Sequence, residues 1–251
     1  MFVYTWDVTR DGYANYSSLR LFLDRQGKPL VRKIIPGVSS FHERPSEVRD
    51  YFFHLLDIAT AEIAREYHTE TPLYILATAG MRLLPEQDII LNEVRAAVRS
   101  KYQFRFKDAY VETITGDEEA LFGWIAINFI LGSFSSSSKS NSPTHGMLDL
   151  GGASVQISFE VSPDQPVPKE SSMKFEFFLS DSQETLKYRV YAASYLNYGM
   201  QEFRNLNQGE SNKTANIRNV NVNLLYVFLF SSYSVCITAI TSLLIEVKSH
   251  A

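Results

Sequence analysis

Apolar and polar positions alternate at the start of the chain, then change to spacings of three and four. Phe2-Val3-Tyr4-Thr5-Trp6-Asp7 alternates and is rich in β-formers, which predicts a strand over 2–7. Asp11-Gly12 marks a turn within 8–17, and Gln26-Gly27-Lys28-Pro29 marks another. The segments 19–25 and 31–35 between and after these turns are further strand patterns. The opening is therefore expected to be a small meander within a mixed sheet. Val48, Tyr51, Phe52, Leu55, Leu56, Ile58, Ala59 and Ile63 then form a helical stripe, predicting a helix over 47–67.

A short apolar run at 73–78 predicts a central strand. Ile89, Ile90, Val94 and Val98 predict a helix over 85–100, opened by Pro85. Strand patterns follow at 104–106 and 109–113, and a helix pattern at 117–131. The segment 146–160 reads as strand, glycine turn, strand, and 174–179 as another strand. The segment 188–204 begins as strand and ends as helix. Strands alternating with helices predict an α/β fold.

Two stretches do not fit that rhythm. Residues 133–145 are serine-rich and too polar to pack, which predicts a surface loop. Residues 224–245 carry no charge and are long enough to cross a bilayer as a helix. A buried segment and a non-native tail are the alternatives for that run. No signal-peptide pattern precedes the first strand, and a strand beginning at residue 2 is either a terminus or the second half of a hairpin.

Composition narrows the chemistry. With 251 residues, 45% of them hydrophobic, the chain can bury one large core or two smaller ones. A net charge of -4 gives no nucleic-acid footprint. The single cysteine, Cys236, excludes an intrachain disulfide framework. Five histidines without ligand spacing argue against structural zinc, and His42, His54 and His68 are expected to be non-ligating. Asn15 and Asn212 are formal glycosylation acceptors, relevant only to a lumen-facing surface.

Three islands carry candidate chemistry: Thr78-Ala79-Gly80-Met81-Arg82, the stretch 115–129, and 148–156 around Asp149-Leu150-Gly151-Gly152-Ala153-Ser154. The glycine turn at 151–152 suits either an anion cradle or a plain hairpin turn. Ser154 and Gln156 stand two apart and so share one side of a strand. Asp117, Glu118 and Glu119 lie in a first helical turn, where acids also suit the helix dipole. Spacing alone does not choose between Glu118 and Glu119 as a reactive acid. Trp124 is expected to pack rather than stack on a base. Asn128 is unusual on an apolar helix face, because a buried amide needs partners.

The order of these islands resembles the GDA1/CD39 family of nucleoside triphosphate diphosphohydrolases, the apyrases, over residues 1 to about 206. The stretch PLYILATAGMRLLPE is similar to the family's second conserved region, Gly116–Phe129 to the third, and LDLGGASVQISFE to the fourth. VRKIIPGVSSF and FVYTW also fit. The look is nearest to the intracellular Golgi, endosomal or lysosomal branch.

The resemblance implies an RNase H-like, actin-type two-lobed fold of the ATPase superfamily, here incomplete. It would place residues 1–115 in a first lobe, 116–206 in part of a second, and 207–251 in a divergent tail. It implies hydrolysis of nucleoside tri- or diphosphates, with Ca²⁺ or Mg²⁺ as cofactor and no nucleic-acid partner. Glu119 would be the general base, in preference to Glu118. Ser154 and Gln156 would position the attacking water, and Asp149 would act through the metal's water shell. Thr78, Ala79, Gly80, Arg82, Gly151, Gly152 and Ala153 would shape the phosphate site. Arg82 is equally open to a structural ion pair. The setting implied is a Golgi, endosomal or lysosomal membrane, with the catalytic part lumenal and 224–245 as the anchor.

The chain departs from the family pattern at Ala120, where Gly is usual, and at Phe129, where Tyr or His is usual. The family's Asp-containing phosphate loop would lie upstream of FVYTW, and the rest of a second lobe would follow about residue 205. The expectation is a fragment that lacks part of its site. Two rivals are a catalytically silent membrane-associated remnant or scaffold, and an actin-like or exopolyphosphatase-like phosphotransferase.

Overall fold

The computed structural model describes residues 1–10, 12, 14–134, 144–179 and 184–203, together with the backbone of 243–249. Strands β1 (Phe2–Val8), β2 (Ala14–Leu21), β3 (Leu73–Ala77) and β4 (Val111–Thr113) belong to a five-stranded mixed sheet. Its fifth member is the late strand Leu243–Ser249, which becomes β9 in chain order. The order is β2-β1-β9-β3-β4. Between β4 and β9 come β5 (Met147–Leu150), β6 (Ser154–Glu160), β7 (Ser172–Leu179) and β8 (Glu184–Leu196), which form an antiparallel sheet in the order β5-β6-β8-β7.

Two hydrophobic cores follow the two sheets. In the first, Val3 of β1 and Leu73 and Ile75 of β3 meet two helices, α1 (Val48–Glu62) and α3 (Gln87–Lys101). The predicted stripe of α1 is the face buried there: Val48, Phe52, Leu55, Leu56 and Ala59. In the second core, α4 (Gly116–Ile130) lays Ala120, Leu121, Trp124 and Ile127 against β8 and Met147. Trp124 is fully buried among Phe134, Phe175 and Tyr188, so it packs as expected. The helix runs close to β5, since a Cβ at Gly123 would overlap the Met147 methyl. Asn128 finds its partners: its amide donates to the carbonyls of Trp124 and His145 and accepts from the His145 N–H.

Several sequence expectations change in three dimensions. The strand expected at 31–35 is reduced to one bridge at Val31. Arg32 exchanges backbone bonds with Met1, Ile35 is exposed, and Pro36 has no N–H for a ladder. The 104–106 strand is likewise one bridge, between Arg105 and Pro72. The helix expected to reach 67 ends at Glu62, because Ile63 turns extended and buries its side chain, and a 3₁₀ segment follows at Arg65–Glu70.

The proposed membrane helix over 224–245 is also corrected at its end. Leu243, Leu244 and Ile245 are strand, not helix. They lie between two neighbours, parallel to β1 from Phe2↔Leu244 to Asp7↔Ser249 and antiparallel to β3 at Leu73↔Ile245. The remainder, 224–242, lies outside the described residues, as do most of the 133–145 loop and residues 204–223. Among the described residues no helix is long and apolar enough to cross a membrane.

The position of β9 makes a test. A chain ending at residue 242 should lose hydrogen-exchange protection at the amides of β1 and β3 that face the vacated position, because buried backbone groups need partners. Unchanged protection there would show that β9 does not complete this sheet.

Candidate active site

The second sheet and α4 bring the chemistry-bearing residues together. Helix α4 starts at Thr115, whose hydroxyl accepts from the Glu118 N–H while the Glu118 carboxylate accepts from the Thr115 N–H and hydroxyl. This capping box occupies Glu118 at the helix rim. Glu119, one residue on, turns inward and is 6% exposed. The two acids that spacing could not separate therefore have different environments. Asp117 accepts a backbone bond from Ser194, and burial raises its carboxyl above the ordinary range.

Strand β6 supplies the facing groups. Its alternate residues Ser154, Gln156 and Ser158 all point into the protein, and Ser154 and Gln156 share a side as their spacing predicts. The Gln156 amide nitrogen, fully buried, lies 3.2 Å from Glu119 Oε2, 2.5 Å from Ser154 Oγ and 2.9 Å from Ser194 Oγ, so its two N–H protons are shared among three acceptors. A carboxylate only accepts, so Glu119 fixes which end of the amide faces it. Gln156 Oε1 is left buried without a partner among the described residues.

Arg82 reaches this cluster from the other core. It closes α2 (Ala79–Arg82), which follows β3 directly. One guanidinium nitrogen lies 2.7 Å from Glu119 Oε2 and 3.4 Å from Ser154 Oγ, and the other donates to the Ile114 carbonyl at 2.9 Å. Within the Arg82–Glu119 pair Glu119 is buried and the Arg82 side chain is 15% exposed. Burial raises the Glu119 carboxyl above its usual range, while Arg82 and the Thr78 hydroxyl pull it back down. Thr78 and Ala79 are buried at the start of this turn, and Gly80 leaves room for the Ser39 hydroxyl. Thr78, Arg82, Glu119, Ser154 and Gln156 thus converge.

Asp149 joins from β5, opposite Gln156 in the ladder. It is 6% exposed, and burial, then the charge of Glu119, pushes its carboxyl up to about 7. No group of three His, Cys, Asp or Glu able to hold a metal occurs among the described residues. One hard carboxylate beside a serine and an amide fits an oxygen-seeking cation held through its own water shell, not a metal caged by several side chains.

The Gly151–Ala153 turn is tied down from behind. Gly151 N–H bonds the Ser154 carbonyl within the turn. The Gly151, Gly152 and Ala153 carbonyls accept from Met200, Gln201 and Asn197 respectively. Gly199 lies so close that a Cβ on it would overlap the Gly152–Ala153 peptide. Ser194 and Gly199 escaped the sequence reading, because neither has a local signature and both act across strands. The Thr115-x-x-Glu118 box escaped as well, although the spacing of a capping box is a signal that could have found it.

With this geometry in place, comparison with known proteins is informative. Residues 1–225 match the model of the GDA1/CD39 (nucleoside phosphatase) family. Ectonucleoside triphosphate diphosphohydrolase 4 of Mus musculus is 36% identical over 228 residues, covering 79% of this chain and 37% of that protein. Nucleoside-triphosphatase ntp-1 of Caenorhabditis elegans is 35% identical over 257 residues, covering 97% of this chain and 46% of that protein. The chain thus spans less than half the length of these curated relatives. A solved nucleoside triphosphate hydrolase from Neospora caninum has a TM-score of 0.48 and 16% identity, over 80% of this chain and 45% of that one.

Two outcomes follow from the site. The Asp149 carboxyl holds its proton to a higher pH when folded than when unfolded. Its stabilising contribution is therefore complete below about pH 4 and is lost as pH rises through about 7. In chelator, the urea midpoint of the wild type should fall across that window, and Asp149→Asn should flatten the slope. Glu119 and Asp117, also raised, should leave a remainder. Separately, Gly199→Ala should lower the melting temperature, with a cost of roughly 1–3 kcal/mol for the forced backbone shift. An unchanged melting temperature would mean that the turn does not need this close approach.

Proposed function

The chain belongs to the GDA1/CD39 (nucleoside phosphatase) family, and from that premise we propose that it carries the general-base part of a site hydrolysing nucleoside tri- or diphosphates to nucleotide and inorganic phosphate. The observation that carries this reading is Glu119, a buried carboxylate beside Arg82 and the Gln156 amide, with Asp149 close enough for the two charges to repel. A general base must be held out of bulk water yet within reach of the proton it takes.

In this reading a water oxygen attacks the terminal phosphorus. The bond from phosphorus to the bridging oxygen breaks, and its electron pair leaves with the nucleotide. Glu119 takes the proton released by the water. Gln156 Oε1 and Ser154 Oγ orient the water, and the lack of a partner on Oε1 among the described residues suits that task. Thr78, Ala79, Gly80 and the Gly151–Ala153 turn shape the phosphate side. Arg82 helps neutralise charge where the phosphate meets Glu119. Asp149 would hold Ca²⁺ or Mg²⁺ through water, and a bound cation supplies charge neutralisation at the phosphate oxygens.

The two cores suit the proposed lobes, with residues 1–115 in one and 116–206 in part of the other, as in an RNase H-like, actin-type fold. Asn15 and Asn212 as formal acceptors suit a lumenal domain in a Golgi, endosomal or lysosomal setting. A second reading, nucleotide binding without turnover, is favoured by the Arg82 guanidinium already engaging Glu119 Oε2.

Phosphate release separates the two. Purified chain is assayed with UDP, GDP, CDP and ATP in Ca²⁺ or Mg²⁺, with Glu119→Gln as control. Hydrolysis is expected, falling at least ~100-fold in the control, as for loss of a positioned base. Nucleotide binding with no phosphate release above the control would establish the silent reading instead.

A further inference from the structure

Ser194 stands where three parts of the site meet. It lies on β8 directly across the ladder from Gln156. Its hydroxyl accepts from the Gln156 amide at 2.9 Å. Its backbone N–H donates to the Asp117 carboxylate in the first turn of α4. Its Cβ and Oγ fill the space over Gly116, where any added Cβ would overlap them. Gly116 and Asp117 begin the turn that delivers Glu119, and the same Gln156 amide touches Glu119 at 3.2 Å.

We propose that Ser194 is a positioning residue, which sets the separation between Glu119 and Gln156 by seating the start of α4 on one side and holding the amide on the other. No other contact described for the site touches both the start of α4 and Gln156 from a third element. The glycine at 116 follows from this arrangement. With any side chain there, α4 would be pushed off β8, and Glu119 would leave the reach of the amide. Ser194 has no role in proton transfer. Its hydroxyl oxygen accepts from the amide end that the Glu119 carboxylate selects, so it holds Gln156 in place without competing for Oε1.

The kinetic consequence rests on the hydrolytic reading, whereas the placement does not, and the experiment is arranged to separate them. In the full chain, Ser194→Ala should lower kcat about fivefold, the worth of one neutral hydrogen bond, with KM changed less than about twofold. In ¹⁵N spectra, the Gln156 side-chain amide, assigned by its loss in Gln156→Glu, should shift in Ser194→Ala. For the steric half, Gly116→Ala should lower the melting temperature in the wild type. It should do so far less in a Ser194→Gly background, where the obstructing atoms are gone. An unmoved Gln156 resonance, or an equal cost of Gly116→Ala in both backgrounds, would overturn the placement. A normal kcat in Ser194→Ala with the resonance shifted would overturn the positioning role. If the wild type releases no phosphate, the hydrolytic reading fails by itself, and the resonance and melting arms still decide where Ser194 acts.

Discussion

A carboxylate withdrawn from water has to be met by donors, and Glu119 is met from two directions. Arg82 comes from the end of the β3–α2 connection, in the first core, and Gln156 comes from β6, in the second. The ion pair is therefore also a structural tie between the two halves of the chain. A buried pair of this kind adds little net stability, because desolvation offsets attraction. Breaking it by removing one partner leaves an uncompensated charge, at a cost of roughly 3–5 kcal/mol. The hold of Arg82 on Ile114 and Glu119 is thus coupled to the state of the proposed base.

The rest of the site depends on how tightly the elements around that carboxylate approach. Glycine is required at several of these places for lack of room rather than for an unusual backbone angle. Gly116 admits Ser194, Gly123 admits Met147, and Gly199 admits the peptide after Gly152. Together these contacts bring α4, β8 and the 151–153 turn into close register. The turn that looked locally like an anion cradle is held through its carbonyls by residues 197–201. Its geometry is imposed from behind by the chain that follows β8.

The first sheet shows a different constraint. Strands β1 and β3 are not neighbours, and the backbone groups between them are met by β9, which arrives from the far end of the chain. A run of uncharged residues has no periodicity that separates a membrane helix from the approach to a buried strand. Here the pairing demand of a sheet interior decides the fate of Leu243–Ile245. The same demand explains why 31–35 is not a strand: its partner positions are met at Val31 and Arg32 alone.

By itself, the sequence determined the helices α1, α3 and α4, the strands β3 and β6, the burial of Trp124, and the inward side shared by Ser154 and Gln156. These depend on local periodicity, which burial reinforces. The motif order around Thr78, Glu119 and Asp149 likewise sufficed to indicate the family. The preference for Glu119 over Glu118 came with the family resemblance, while only the folded chain shows one acid closing a capping box and the other meeting Arg82. Tertiary structure alone turned Arg82 toward the base, set Ser194 and Gly199 against the site, and inserted β9 between β1 and β3. Each of these is a contact between residues far apart in the chain. Their physical cause, the matching of buried donors, acceptors and volumes, exists only once the elements have packed.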